Sequence, residues 1–178
     1  MIFESARLVA RRFGPRDLAA FVAMRNDPEV ARFQAWEGCS EDDGRQRLAE
    51  MTGRNPGEPG WFQFALEEKI SGLLVGDCGL RSLESDHRLA QIGYTITRAC
   101  WNRGFASEAV GALTTYAFAQ FPIHRITASV DPRNVASCRV LEKNRFVKEG
   151  HLRKSEWFKG EWADDVIFAV LRDDRPAS

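Results

Sequence analysis

The chain has 178 residues, 44% of them hydrophobic and including 12 Phe and 5 Trp, which suffices for one domain with a full core. Its 25 basic and 25 acidic residues cancel, so no electrostatic footprint points to nucleic acid or to a membrane surface. The N-terminal stretch is interrupted by Arg7, Arg11, Arg12, Arg16 and Arg25, and no apolar run approaches the roughly 18 residues of a membrane span. A cytoplasmic protein without signal peptide or membrane anchor is expected.

In chain order, Ser5 to Arg11 alternates as an opening strand and is broken by Gly14-Pro15-Arg16-Asp17. Leu18, Phe21, Val22 and Arg25 then fall at helical spacing. A second helix is predicted from Ser40 to Met51, with Ser40 as N-cap and Asp43 completing a variant of the capping box. Thr52 to Gly60 is a loop rich in Gly and Pro. Three strands are predicted at Trp61–Glu67, Leu73–Arg81 and Arg88–Thr97. A helix from Gly104 to Gln120, a strand at Arg125–Val130 and a helix from Arg133 to Lys143 follow. Two closing strands, Phe146–Leu152 and Ala163–Leu171, flank a hairpin loop at Lys159-Gly160. The pattern predicts an α+β fold over residues 1–178: a mixed, mostly antiparallel twisted sheet of about seven strands flanked by about four helices.

Cys39, Cys78, Cys100 and Cys138 form no CxxC pair, and His87, His124 and His151 are equally scattered. Reduced thiols and no metal site are expected from that spacing.

The chemistry concentrates in two segments. In the first, the strand ending near Thr97 enters a loop, Trp101-Asn102-Arg103-Gly104-Phe105-Ala106-Ser107, that opens directly into an amphipathic helix. The amides of Arg103 to Ser107 precede the first intrahelical acceptors and lie at the positive end of the helix dipole, an arrangement suited to a phosphate or pyrophosphate. Small residues let the backbone approach such an anion closely. Taken alone, the loop also fits a glycine at an ordinary helix start, and neither the Walker pattern nor GxGxxG is present. In the second segment, Asn134 and Ser137 stand three apart at the head of a helix. Such residues reach a ligand or satisfy the helix's own end.

Together the two segments resemble the GCN5-related N-acetyltransferase superfamily, in particular the branch of ribosomal-protein-alanine N-acetyltransferases. That branch is marked by Trp-x-x-Gly-Tyr-Ala-Thr-Glu-Ala, and the chain reads Trp101-Asn-Arg-Gly104-Phe-Ala106-Ser-Glu108-Ala109. It is also marked by Asn-x-x-Ser followed by Leu-Glu-Lys-x-Gly-Phe, here Asn134-x-x-Ser137 and Leu141-Glu-Lys143-Asn-Arg-Phe146. The order of strands and helices matches over nearly the whole chain.

The resemblance implies an acetyl-CoA site. The pyrophosphate would rest on the loop from Trp101 through Asn102, Arg103, Gly104, Phe105 and Ala106 to Ser107. The pantetheine arm would pair like an added strand with the backbone at Ile96 and Thr97, which also supplies amides for the oxyanion. Asn134 would bond the arm, and Ser137 would sit against the cofactor near its sulfur and protonate the departing thiolate. Arg98, Arg103, Arg139 and Lys143 are candidates for the nucleotide phosphates. Family members often carry a basic Glu where this chain has Gln91, which cannot take a proton. Glu156 matches a carboxylate of the ribosomal-protein branch that acts through water, with Glu67, Glu68 and Asp77 as weaker options.

Trp36, Trp61, Phe62, Trp157 and Trp162 are candidates for an acceptor pocket between the first two helices, the loop Asn55–Gly60 and the last hairpin; all could equally be core. The acceptor implied is a primary amine, either a protein N-terminal α-amino group or a small molecule. Transfer of another acyl group such as succinyl, a CoA-binding sensor without turnover and a structural or interaction domain remain open at this point. The exposed last hairpin and the sheet edges are compatible with a homodimer. Finally, Arg145 replaces the family's Gly at the end of the second motif helix. Asn144, which tolerates a left-handed backbone better, is expected to end that helix one residue early.

Overall fold

The computed structural model describes residues 1–174. Its strands are β1 (Phe3–Glu4), β2 (Leu8–Arg11), β3 (Gly60–Glu68), β4 (Leu74–Ser82), β5 (Leu89–Ile96), β6 (Arg125–Val130), β7 (Val147–Phe158) and β8 (Glu161–Leu171). The helices are α1 (Leu18–Asn26), α2 (Pro28–Ala31), α3 (Glu41–Thr52), α4 (Phe105–Gln120) and α5 (Val135–Lys143). All eight strands join one sheet in the order β1-β2-β3-β4-β5-β6-β8-β7. Only the β5–β6 pair is parallel, so the fold is α+β, as expected.

The sheet has one strand more than the sequence predicts. The amide of Ser5 bonds the Leu8 carbonyl at 2.9 Å, and this turn breaks the expected opening strand into the β1–β2 hairpin. The additional helix, α2, is a single turn started by Pro28 and capped by Asp27, whose Oδ1 accepts from the Glu29 amide. The predicted capping box of α3 is present in full. Ser40 Oγ accepts from the Asp43 amide and Asp43 Oδ2 from the Ser40 amide, both at 3.1 Å.

Side-chain alternation along the middle strands divides the core into two layers. Phe62, Phe64, Leu66, Cys78, Leu80 and Ile92 face α4, whose Phe105, Val110, Leu113 and Ala117 are buried against them. On the opposite face Ala65 packs with Phe21, Met24 and Leu48 of α1 and α3. Burying large apolar side chains on both faces contributes roughly 1.5–3 kcal/mol for each one covered. This fixes the middle of the sheet and leaves its two halves free to diverge at one end.

That divergence lies between β5 and β6. Their parallel pairing covers only Leu89 to Gln91 against Arg125 to Thr127, although β5 runs on to Ile96 and β6 to Val130. The two strands therefore part company, and the helices that follow them, α4 and α5, begin on either side of the opening.

The last hairpin is much longer than its apolar pattern suggests, because most of β7 is exposed and carries no alternating signal. It closes on Lys159 and Gly160 at φ 49° and 87°, the paired positive values that a two-residue I′ turn requires. The Lys159 ammonium donates to the carbonyls of Ala31 (2.7 Å) and Trp36 (3.0 Å), tying the hairpin tip to the end of α2.

At the end of α5 the structure corrects the expectation for Asn144. Arg145 itself takes the left-handed conformation, at φ 66°, while Asn144 stays at φ −94°. The Phe146 amide bonds the Leu141 carbonyl and the Arg145 amide that of Glu142, both at 3.0 Å, which is a Schellman closure with buried Leu141 and Phe146 as its hydrophobic pair. Asn144 is occupied elsewhere: its Nδ2 donates to the Ser107 and Val140 carbonyls. Arg145→Gly should therefore raise stability by about 1 kcal/mol, readable as a higher urea midpoint at unchanged slope.

Candidate active site

The opening in the sheet presents an unpaired strand edge. The Thr97 amide donates to the Val75 carbonyl of β4 at 2.9 Å, and the Leu83 amide to the Leu89 carbonyl at 3.2 Å. In an antiparallel ladder these groups alternate, so Thr95, Gly93 and Gln91 also turn their backbone toward β4. Ile96, Tyr94 and Ile92 turn theirs toward the side that β6 has left. One group there is already used: the Ile96 carbonyl accepts the Trp101 indole N–H at 2.8 Å. The edge still open to an added strand is the Ile96 amide together with both backbone groups of Tyr94. Thr97, whose amide is committed to β4, stands at its end.

Beyond Thr97 the chain makes one turn and enters the loop before α4. Asn102 and Gly104 are left-handed, at φ 59° and 81°, and flank Arg103. Gly104 is the N-cap, and the first amide bonded back into the helix is that of Glu108, to the Gly104 carbonyl at 3.1 Å. The amides of Gly104 to Ser107 thus precede the intrahelical ladder at the positive end of a 16-residue helix. Trp101, Asn102, Arg103 and Gly104 are exposed, whereas the Phe105 ring is buried beneath the loop. The guanidiniums of Arg7 and Arg103 lie 4.5 and 4.7 Å from that ring's centre.

A clasp from the far edge of the sheet fixes this loop. Glu108 accepts from Ser5 Oγ (2.6 Å), the Arg7 amide (2.6 Å) and Arg7 Nε (2.7 Å), and Arg7 Nη1 donates to the Arg103 carbonyl at 3.0 Å. Partial burial pushes the Glu108 carboxyl up, but these donors outweigh it and hold the group below its ordinary value. The carboxylate beside the loop is thereby neutralised locally. Arg103 is paired with Glu68 at 2.8 Å.

Across the opening, Asn134 is the N-cap of α5, its Oδ1 accepting from the Ser137 amide at 3.1 Å. Ser137 Oγ lies 2.7 Å from the Tyr94 hydroxyl, which is also 3.2 Å from the Ser137 carbonyl. The serine predicted as the acid is therefore held by a tyrosine of β5, across the strand split. Burial raises the Tyr94 phenol above its ordinary value, the bond to Ser137 only partly opposing this, so the phenol keeps its proton.

The remaining carboxylates sort by what holds them. Glu67 is paired with Arg11 (2.7 Å) and Arg16 (2.6 Å), Glu68 with Arg103, and Asp77 is buried against Arg25 at 2.9 Å. None of the three stands free as a base. Gln91 accepts from Arg81 at 3.2 Å. Glu156 is exposed on β7 opposite Ala163. The last β6–β8 pair is Val130 with Val166, so Glu156 projects beyond the end of β6, the end at which α5 begins.

The comparisons with known proteins come to the same place. Residues 7–147 match the model of the acetyltransferase (GNAT) domain. The chain belongs to the GNAT acetyltransferases. Among curated GNAT relatives, the uncharacterized N-acetyltransferase p20 of Bacillus licheniformis is 31% identical over 166 residues, 93% of each chain. The ribosomal protein uS5-alanine N-acetyltransferase of Escherichia coli is 32% identical over 114 residues, 64% of this chain and 59% of that one. Among solved structures, a RimL ribosomal L7/L12 α-N-protein acetyltransferase in complex with coenzyme A superposes with a TM-score of 0.84 at 19% identity, covering 96% of this chain and 97% of that one. The enzyme is thus an acetyltransferase.

Within this GNAT domain the structure brings together Ile96, Thr97, the loop 101–107, Asn134 and Ser137 at the C-terminal ends of β5 and β6, with Glu156 at the same end on the last hairpin. Of the proposed acceptor aromatics, Phe62 belongs to the core under α4. Trp61 lies on the opposite face, its ring against Gly79, where a Cβ would stand 3.0 Å from it. Trp36 covers Arg25, and Trp157 and Trp162 form an exposed edge-to-face pair. Sequence reasoning missed Tyr94 and Arg7. Each meets its partner across 43 and 101 residues of chain respectively, and no local pattern encodes such contacts. Among the described residues no helix is long and apolar enough to cross a membrane.

Proposed function

We propose that this acetyltransferase carries the acetyl group of acetyl-CoA to a primary amine, with a protein N-terminal α-amino group as the preferred acceptor. One observation carries the reading: the free edge of β5 leads on one side to the uncommitted amides of Gly104 to Ser107 and on the other to the Ser137 hydroxyl. A CoA molecule has that layout, an anionic pyrophosphate joined by an amide-bearing arm to a thioester. The pyrophosphate would rest on the α4 amides and the arm along Tyr94 and Ile96.

The amine attacks the thioester carbonyl, forming the N–C bond. The oxyanion draws on the Ile96 amide. The extra amine proton passes through water to Glu156, whose exposed place at the end of β6 suits a relay. As the C–S bond breaks, Ser137 Oγ–H gives its proton to the sulfur, and the serine recovers one from solvent. An α-amino group has an unperturbed pKa of about 7.7–8.0, so a weak base is enough, whereas a lysine at about 10.4 would need stronger help. Among the described residues no free buried carboxylate stands at this end, which favours the α-amino acceptor. Similarity to enzymes named for ribosomal-protein N-termini supports the same choice.

Calorimetric titration with acetyl-CoA, beside adenosine diphosphate and succinyl-CoA, tests the reading. Micromolar binding of acetyl-CoA with weaker binding of succinyl-CoA is expected, followed by acetylation of peptides with free but not blocked N-termini. Absence of binding by any CoA species overturns it, and binding without turnover of any amine leaves a sensor. Glu156→Gln should lower peptide turnover about 10-fold or more at unchanged acetyl-CoA affinity. Equal rates across pH would remove Glu156 from the mechanism.

A further inference from the structure

We propose that Tyr94 is a positioning residue for proton delivery: its hydroxyl donates to Ser137 Oγ and so directs the serine's only proton toward the departing sulfur. The inference rests on the function proposed above and adds to it a residue on the opposite wall of the strand opening.

The argument begins with what a serine hydroxyl can do. It has one proton and, near the start of a helix, readily spends it on the helix's own backbone. Ser137 sits in the first turn of α5, so an unrestrained Oγ–H would turn inward and be lost to the reaction. A donor aimed at Oγ occupies a lone pair and leaves the proton for another acceptor.

Tyr94 is placed to be that donor. The O···O separation is 2.7 Å, at which either oxygen can donate, against 3.2 Å from the same hydroxyl to the Ser137 carbonyl; we assign the single phenol proton to the shorter contact. The carbonyl is an alternative acceptor for the same single proton, available when Oγ does not take it. The ring itself is held because Tyr94 lies on β5 opposite Cys78 of β4 and packs against the core beneath α4.

Electrostatics favour the same direction. A buried phenol resists ionisation, so Tyr94 enters turnover as a protonated donor and not as a competing base. When Ser137 passes its proton to sulfur, negative charge develops on Oγ. A hydrogen bond to a charged oxygen is about twice as strong as a neutral one, so the Tyr94 contact tightens at that moment. No proton needs to leave Tyr94: the bond that breaks is Ser137 O–H, the one that forms is S–H, and solvent restores the serine.

The backbone of Tyr94 belongs to the same device. Its amide and carbonyl face the opening, along the edge assigned to the pantetheine arm. One residue thus registers the arm by its backbone and the acid by its side chain.

The test is a double-mutant cycle in acetyl transfer to a peptide, with CoA release as the readout. Tyr94→Phe should lower kcat about 10-fold while KM for acetyl-CoA stays within twofold. In the Ser137→Ala background the same change should cost less than twofold, because the group it serves is gone. Additive effects in the two backgrounds, or a kcat within twofold of wild type, overturn the inference. An unimpaired Ser137→Ala enzyme would instead overturn the underlying assignment of the acid, so the two failures are distinguishable.

Should Tyr94→Phe fold poorly, the chain's having only two tyrosines allows a second approach. Biosynthetic replacement by fluorotyrosine in a Tyr116→Phe background alters Tyr94 alone. A more acidic phenol is a stronger donor, so kcat should hold or rise. A fall of about 10-fold or more would show that a stronger donor at this position does not serve the reaction and would overturn the inference.

Discussion

Ser137→Ala should reduce kcat about 100-fold and leave the dissociation constant of acetyl-CoA nearly unchanged. The expectation follows from when the hydroxyl acts. In the resting enzyme its Oγ is engaged by Tyr94. In the mechanism proposed above its contribution arises as the C–S bond breaks and the thiolate needs a proton. An interaction made only at that stage lowers kcat and kcat/KM equally when removed. A 100-fold loss corresponds to about 2.7 kcal/mol, within the usual range for one proton-transfer group. The fold should survive, because without Oγ the Tyr94 hydroxyl still has the backbone carbonyl of residue 137 at 3.2 Å. Steady-state rates with a peptide acceptor, beside calorimetric affinities for acetyl-CoA, check both halves. Wild-type turnover would exclude Ser137 as the acid, and a parallel loss of affinity would make it a binding residue.

The residues that bear on this prediction differ in how far the sequence announces them. Gly104 is legible because a left-handed N-cap demands a particular residue type. Asn134 and Ser137 are legible by spacing, and the structure gives Asn134 the capping of α5 that the same spacing also allowed. The capping box at Ser40 and Asp43 is read correctly for the same reason: its geometry is confined to four consecutive residues.

What the sequence hides is contact at a distance. The opening between β5 and β6 depends on where parallel pairing stops, and both strands keep an unbroken strand pattern beyond that point. Tyr94 reads locally as an ordinary strand residue until β5 and α5 are laid against each other. Arg7 reads as one more surface arginine until it meets Glu108 and the Arg103 carbonyl. The β1–β2 break and the length of β7 are missed for another reason. A two-residue strand is too short to show a period, and a strand exposed on both sides has none.

Arg25→Ala should destabilise the fold by about 3–5 kcal/mol. Arg25 of α1 is 7% exposed and Asp77 of β4 only 3%. Their contact, Nη2 to Oδ2 at 2.9 Å, pins α1 to the face of the sheet opposite α4. The guanidinium is stacked 3.6 Å from the centre of the Trp36 ring and 4.6 Å from that of Phe21. Burial dominates both charges. It pushes the Asp77 carboxyl up and the Arg25 guanidinium down, each only partly opposed by the attraction between them. The pair is therefore a poor source of net stability yet costly to break, because removing one member leaves the other charged, buried and without its partner. Two measurements separate these effects. Urea unfolding of Arg25→Ala should show the full loss, together with a change in Trp36 fluorescence as its stacking partner disappears. The double variant Arg25→Met with Asp77→Leu should recover most of it, since matched apolar groups leave no orphaned charge. Equal destabilisation in the single and double variants would mean that the ion pair itself, rather than the avoidance of a lone buried charge, holds α1 in place. Thr95, which hydrogen-bonds Asp77, lies on β5 directly before the Ile96 amide. On the mechanism proposed above, loss of this anchor should also lower kcat, by loosening the strand that carries the Ile96 amide.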